Sequence, residues 1–468
     1  MESLIKYGRK ERRTMEKLKH DLALRVVKLL NLILMTIPFA CCWYGYYLHY
    51  SLVQYYRRGN WLIIFIFFVL YFTFGRIYDG FLISLNQISE IFFSQVLAAL
   101  FSNGIMFIII WLLLLYFPNP IPILLAFATQ LLISIVWATL AHKWYFHTFK
   151  AHQSAVVYDV RKGLEQLIGE YGLEKKFEII KTAKVEECLE DLSMLDELDS
   201  VFLSGIHSHD RNIILKYCIK NGVNVYVIPR VGDVLMSGAK KMHMFHLPML
   251  RVGRYSPTPE FLFTKRMFDI VVSLTALILY SPVLLVTALA IKLNDGGPVF
   301  YKQCRLTKDG KEFDILKFRS MKVDAEKDGV ARLSTGENDD RITPVGHVIR
   351  KYRIDELPQL INILKGELSV VGPRPERPSI ATLYEEEMPE FNLRLQAKAG
   401  LTGYAQVYGK YNTTPYDKLQ MDLMYIANPS FLEDIKICFA TVKILFTPES
   451  TEGIAEGETT ALGGKEEA

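Results

Sequence analysis

The stretch FDIVVSLTALILYSPVLLVTALAI, residues 268–291, decides how this 468-residue chain is arranged. It is apolar and long enough to cross a bilayer, which takes roughly 20 helical residues. Ser281-Pro282, however, stands in its middle. Proline removes one helix hydrogen bond and clashes with the preceding turn, so it kinks or breaks a helix. Backbone freed inside a membrane must be re-satisfied, and the Ser281 hydroxyl is placed to help. Basic residues lie on both flanks: Lys265 and Arg266 before, Lys292, Lys302 and Arg305 after. A helix that crosses should show a Lys/Arg asymmetry between its two sides. This one does not, so the expectation is a re-entrant hairpin that enters one leaflet and returns on the same side. The alternative, a plain fifth span, would put the rest of the chain on the opposite face.

Upstream, four apolar blocks cover residues 29–48, 61–74, 92–117 and 121–141, and each reads as a membrane span. The second is the shortest and needs Tyr78 and Phe81 to fill its length. The basic start runs for over twenty residues before the first block, which therefore reads as a span and not as a signal peptide. Nine Lys and Arg residues between Lys6 and Lys28 precede it, whereas the following loop offers only Arg57 and Arg58. The loop between the third and fourth spans has no Lys or Arg, and Lys143, Lys150 and Arg161 come after the fourth. The positive-inside rule puts the N-terminus and everything after about residue 142 in the cytoplasm.

From about residue 155 to 252 the pattern changes. AVVYD, FEIIKT, SVFLSG and NVYVIP read as buried strands, alternating with helical stretches over 162–171, 185–192 and 210–221. That alternation predicts a small parallel α/β layer. The turn after its first strand, Asp159-Val160-Arg161-Lys162-Gly163, lacks the glycine-rich pattern a dinucleotide site needs. A regulatory or dimer-forming domain is preferred over a nucleotide site. Composition narrows the rest. Net charge is only +4, so nucleic acid is not indicated, and the six cysteines show no metal-ligand or disulfide-framework spacing.

Downstream of the broken stretch the chain becomes polar. KFRSM places Lys317 and Arg319 two apart on a predicted strand, where one face would present both to a phosphate or anionic lipid. Next comes Arg350-Lys351-Tyr352-Arg353-Ile354-Asp355-Glu356-Leu357-Pro358-Gln359-Leu360, with helical periodicity continuing through Ile361 and Leu364 to Gly366. Asp355 falls at the expected N-cap, with Pro358 in the first turn. Two acids there, with Arg350 upstream, suit a phosphate or a divalent cation, but they equally suit a helix cap that merely complements the dipole. Pro373-Arg374-Pro375 then fixes the backbone around an arginine, which suits phosphate recognition or is simply a rigid turn. The last apolar stripe, residues 431–446, fits a helix at the bilayer surface or one packed on the domain core. The tail from Glu449 has almost no large apolar residues and is expected to be disordered.

In order, KRMFDIVVSLTALILYSPVLLV, GGPVFYKQCR, KFRSM, RIDELPQLINILKGELSVVGPRPERP and AGLTGYAQVYG resemble the bacterial sugar transferase domain of polyprenyl-phosphate glycosyl-1-phosphate transferases. The resemblance covers about residues 263–450. The four spans and the α/β domain resemble its larger members, which start capsule, O-antigen or exopolysaccharide repeat units. The implied fold is membrane α plus α/β: a four-helix transmembrane domain over 1–145, a small Rossmann-like domain over 150–253, a catalytic α+β domain with a re-entrant helix over 263–450, and a disordered tail over 451–468. The implied place is the bacterial cytoplasmic membrane, multi-pass, with the catalytic domain on the cytoplasmic face; a homodimer is compatible with this layout.

The resemblance also implies a chemistry. Asp355 would attack the β-phosphate of a UDP-hexose and expel UMP, and undecaprenyl phosphate would then take the sugar phosphate. Glu356 would ligate Mg²⁺, Arg350, Lys317 and Arg319 would stabilise phosphate charge, and Pro373-Arg374-Pro375 would contact the nucleotide. Ser281-Pro282 would shape the hairpin. Arg353, Ala399 and Tyr404 depart from the family's usual residues, which leaves the sugar open between a plain and an N-acetylated hexose. Two other classes are a non-catalytic scaffold, which needs no Asp-Glu pair, and an inverting glycosyltransferase. The latter would want a metal motif better than Asn338-Asp339-Asp340, and it would release UDP where this chemistry releases UMP.

Overall fold

The computed structural model describes residues 2–50, 57–323, 341–409 and 413–445. The tail after residue 450, Phe446 and Asn338-Asp339-Asp340 lie outside the described residues. The chain divides after Ile228 into two units.

In the first unit, four long apolar helices stand where the hydropathy places them: α1 (Glu2–Cys42), α2 (Arg57–Ile77), α3 (Ile88–Leu114) and α4 (Ile121–Thr148). Side chains such as Leu112 on α3 and Leu132 on α4 face outward, as lipid-facing residues must. The inward faces carry a polar knot to which every helix contributes. The Tyr71 hydroxyl of α2 donates to Asn31 of α1 at 3.2 Å, and the Asn31 amide donates to Gln95 of α3 at 3.4 Å. Ser134 of α4 donates to the same Gln95 oxygen at 2.9 Å. Lipid offers no hydrophobic drive between helices, so interhelical hydrogen bonds and close packing set which faces meet. This is a membrane protein.

The same unit carries four parallel strands, β1 (His152–Tyr158), β2 (Phe177–Lys184), β3 (Ser200–Ser204) and β4 (Asn224–Val227), in the order β2-β1-β3-β4. Between them run α5 (Leu164–Glu170), α6 (Val185–Glu190) and α7 (Ser208–Asn221). Val157, Val201, Leu203, Cys188, Ile214 and Cys218 form the core, close to the apolar runs of the sequence. Ligands of such sheets bind at the carboxyl ends of the strands where the order reverses, here between β1 and β3. At that point Gly205, with φ +68°, lies against the loop after β1; a Cβ added to it would stand 2.9 Å from the Arg161 nitrogen. The two loops touch where a ligand would sit.

The second unit begins with α8 (Val231–Ser237), whose Val231 and Val234 enter its core, and a hairpin of β5 (Lys240–Met244) and β6 (Leu247–Arg251). Then comes α9 (Pro259–Asp295), 37 residues long. Pro282 does not break it. The carbonyl that loses its partner four residues before a proline is that of Ile278, and the Ser281 hydroxyl donates to it at 2.8 Å. Residues 278–283 are exposed on every side, whereas both arms pack on the same unit. Arg266 in the first arm donates to the carbonyls of Ile363 and Leu364, and Asp269 accepts from Val370 at 2.9 Å. In the second arm Leu284, Ala288 and Ile291 pack around Phe318 and Ile349, and Asp295 pairs with Arg319.

The remaining elements are small: β7 (Phe300–Leu306) and β8 (Glu312–Phe318) as an antiparallel hairpin, α10 (Pro344–Lys351), α11 (Gln359–Lys365), β9 (Ser369–Val371), α12 (Pro378–Glu387), β10 (Gly400–Thr402), α13 (Pro415–Ala427) and α14 (Phe431–Leu445). Ile363, Leu368, Val371, Leu419, Leu423 and Ile437 form the core that joins them. Parallel β9 and β10 approach so closely that a Cβ on Gly400 would run into the Gly372 backbone, and one on Gly372 into the Lys398 carbonyl. Backbone cannot give way as a side-chain tip can. Gly400→Ala is therefore expected to destabilise the unit by about 3 kcal/mol or more, read as a lowered thermal midpoint in detergent.

Candidate functional site

The Asp-Glu pair does not cap the helix as the sequence predicts. Pro358 has no N–H to continue a regular ladder, so the Ile354 carbonyl bonds the Leu357 nitrogen at 3.1 Å in a tight 3₁₀ turn over Ile354–Glu356. Helix α11 begins only after Pro358, at Gln359, and is two turns long. Asp355 and Glu356 thus sit in the turn between α10 and α11. The turn is set by Arg353, held at φ +52°, a left-handed conformation few non-glycine residues adopt.

The two acids differ. Lys317 Nζ, near the end of β8, donates to Glu356 Oε1 at 3.0 Å, and Arg374 Nη2 lies 3.8 Å from the same oxygen. Burial alone would raise Glu356, but the Lys317 and Arg374 charges outweigh it and hold the carboxyl well below its usual range. Asp355 has no hydrogen bond or ion pair among the described residues. Burial, and then the Glu356 charge beside it, push Asp355 up to about 6, opposed by Lys317, Arg350 and Arg353. One carboxylate is locked as an anion; its neighbour is left with its oxygens uncommitted. The Arg350 Nη1 donor is also buried without a hydrogen-bond partner, so this end of the site holds unspent positive charge.

Lys317 and Arg319 do not share a face. Strand β8 ends at Phe318, so the alternation of a strand no longer governs Arg319. Lys317 meets Glu356, whereas Arg319, buried, turns to Asp295 at the end of α9. Ser281 and Pro282 lie in the exposed stretch 278–283 of α9, and no contact with these groups is made among the described residues.

The Pro373-Arg374-Pro375 turn closes the other wall of the cleft, which Lys317, Glu356, Gln359 and Gln406 also line. All three of its carbonyls are held. Gly400 N donates to that of Pro373 at 2.9 Å, Arg394 Nη2 to that of Arg374 at 2.9 Å, and Arg305 Nη1 to that of Pro375 at 3.0 Å. Arg374 itself stays half exposed beside Glu356. Sequence reading missed the roles of Arg305, Arg353 and Arg394. Arg305 ends the GGPVFYKQCR stretch, but no spacing rule joins residues 305, 374 and 394.

The donor set fits Mg²⁺ without a dedicated cage. Mg²⁺ is usually held by one or two carboxylates plus substrate phosphates, and the Glu356 carboxylate, held ionised, lines this cleft. Among the described residues there is no group of three His, Cys, Asp or Glu that could hold a metal by itself.

Residues 261–448 match the family model described as bacterial sugar transferase. An exopolysaccharide production protein PSS of Rhizobium leguminosarum bv. phaseoli is 43% identical over 187 residues, 38% of this chain and 92% of that one. A UDP-N-acetylgalactosamine-undecaprenyl-phosphate N-acetylgalactosaminephosphotransferase of Aeromonas hydrophila is 38% identical over 236 residues, 50% of this chain and 55% of that one. A UDP-glucose:undecaprenyl-phosphate glucose-1-phosphate transferase of Escherichia coli K12 is 41% identical over 212 residues, 44% of each chain. The match thus spans about half the length of the two larger relatives.

Proposed function

Because the chain belongs to the bacterial sugar transferase family, we propose that it moves a hexose 1-phosphate from a UDP-sugar to undecaprenyl phosphate as the first membrane step of exopolysaccharide, capsule or O-antigen synthesis. The observation that carries this reading is the inequality of Asp355 and Glu356. A nucleophile must keep its lone pairs free, and Asp355 does, while Lys317 and Arg374 commit Glu356 to the anionic form.

In the first step an Asp355 oxygen attacks the β-phosphorus of the UDP-sugar. The bond from that phosphorus to the bridging oxygen breaks, and UMP leaves with the electron pair. In the second, a phosphate oxygen of undecaprenyl phosphate attacks the same phosphorus, which frees Asp355 and yields the lipid diphosphate sugar. Arg350 and Lys317 face the phosphate charge in both steps, and Arg374 reaches the nucleotide side in the first. Glu356 would hold Mg²⁺ together with the substrate phosphates, and the ion when bound would offset diphosphate charge.

A two-step displacement needs a site open first to a soluble donor and then to a lipid acceptor. The exposed stretch 278–283 of α9, with the helix on either side of it packed on one unit, supports a re-entrant helix that keeps the cleft at the cytoplasmic surface. The Lys and Arg bias of the first spans supports the same face and the cytoplasmic membrane. The test is a UMP-release assay on membranes with undecaprenyl phosphate and a panel of UDP-sugars. Release of UDP, or no nucleotide at all with any sugar, overturns the reading. Lys317→Met removes the cation that hydrogen-bonds Glu356 and leaves Arg374 at 3.8 Å. It is expected to lower turnover about 10- to 100-fold, the worth of one hydrogen bond to a charged group, in the same assay.

A further inference from the structure

Arg394 and Asp422 form an ion pair at 2.6 Å with side chains 5% and 1% exposed, and neither residue lines the cleft. Such a pair is poorly explained as a source of stability, since apolar residues of similar volume often hold a fold as well or better. Its arrangement points to another use. The same Nη2 that meets Asp422 donates to the Arg374 carbonyl, Nη1 lies 3.7 Å from Glu376, and the guanidinium plane sits 4.9 Å over the Phe391 ring.

The turn shows what this fixes. Proline pins φ on both sides of Arg374, so the remaining freedom lies in the peptide planes on either side of it. The plane before Arg374 is set by the Gly400 N–H on the Pro373 carbonyl, and the plane after it by Arg394 on the Arg374 carbonyl. With both planes set, the Arg374 side chain leaves the backbone in one direction, toward Glu356 and the cleft. Arg394 does not line that cleft, and its burial keeps it from any ligand there.

We infer that Arg394, with Asp422 as its counter-ion, is a positioning residue that aims Arg374 at the nucleoside monophosphate half of the donor. This rests on the transfer reading above. Arg394→Lys keeps the charge for Asp422, but a single ammonium cannot meet Asp422 and the Arg374 carbonyl and also replace the contacts that the rest of the guanidinium makes with Glu376 and the Phe391 ring.

The test is UMP binding by calorimetry to the full chain in detergent micelles, alongside KM for UDP-sugar and for undecaprenyl phosphate. Arg394→Lys is expected to weaken UMP about tenfold and raise the donor KM in step, with the acceptor KM unchanged. In an Arg374→Ala background the same substitution is expected to have no further effect on UMP, because nothing remains to be aimed. Equal UMP affinity in Arg394→Lys and wild type overturns the inference, as does an equal loss with and without Arg374. If Arg394→Lys does not fold, Asp422→Asn in the same two backgrounds gives the same comparison. Failure of the wild-type chain to bind UMP overturns the transfer reading itself, a different result from a tight-binding variant.

Discussion

Asp355→Asn is expected to abolish UMP release, by at least about a thousandfold, while the protein stays folded and in the membrane. Asparagine keeps the shape and loses the nucleophilic oxygen, so no covalent sugar-phosphoryl intermediate can form. The same change is expected to raise the thermal midpoint slightly at neutral pH without metal. Asp355 is buried beside a like charge, so its ionised form is less favourable in the folded chain than in the unfolded one. Above the ordinary carboxylate range that difference works against folding, and the uncharged amide removes it. Glu356→Gln should do the reverse, since Lys317 and Arg374 stabilise the Glu356 anion. Opposite shifts in the two midpoints, with both activities lost, are what a strained functional site predicts. Retained turnover in Asp355→Asn would sink the mechanism. Equal destabilisation by both variants would mean that the pair is a plain structural element.

Much of the fold was legible because it depends on long-range averages of hydropathy. The four long apolar helices, the parallel strands and the shorter helices of the first unit follow runs and periods that one residue cannot shift. The Ser281 hydroxyl on the Ile278 carbonyl was legible too, since the geometry around a proline is local. The site was less so. Placing Asp355 at a helix cap assumed that Pro358 would sit inside the first turn. Instead the missing N–H tightened the preceding turn and moved the helix start past it. Putting Lys317 and Arg319 on one face assumed that the strand runs on, but it stops between them. The three groups that hold Pro373-Arg374-Pro375 come from residues 305, 394 and 400, which only tertiary packing brings together.

The second large effect lies where the long apolar helix α9 is tied to the rest of its unit. Lys265 in the first arm of α9 donates to Asp434 at 2.8 Å and to the Tyr425 hydroxyl at 3.0 Å, with Asp434 fully buried at the start of α14. The neighbouring Arg266 and Asp269 bond only neutral groups, the carbonyls ending α11 and the start of β9. Among the described residues Lys265 is therefore the counter-charge in direct contact with Asp434. Lys265→Met keeps the aliphatic stem but leaves a buried carboxylate with a single hydroxyl donor. The expected cost is about 3–5 kcal/mol, or a midpoint about 10 °C lower for a unit of this size. Activity should fall with it, because the loosened arm no longer fixes α11, from which the Asp355 turn hangs. The double variant Lys265→Met/Asp434→Leu removes both charges and is expected to recover most of the lost stability. If the double variant melts no higher than the single one, the penalty does not come from an unpaired buried charge, and Lys265 holds the arm by packing alone.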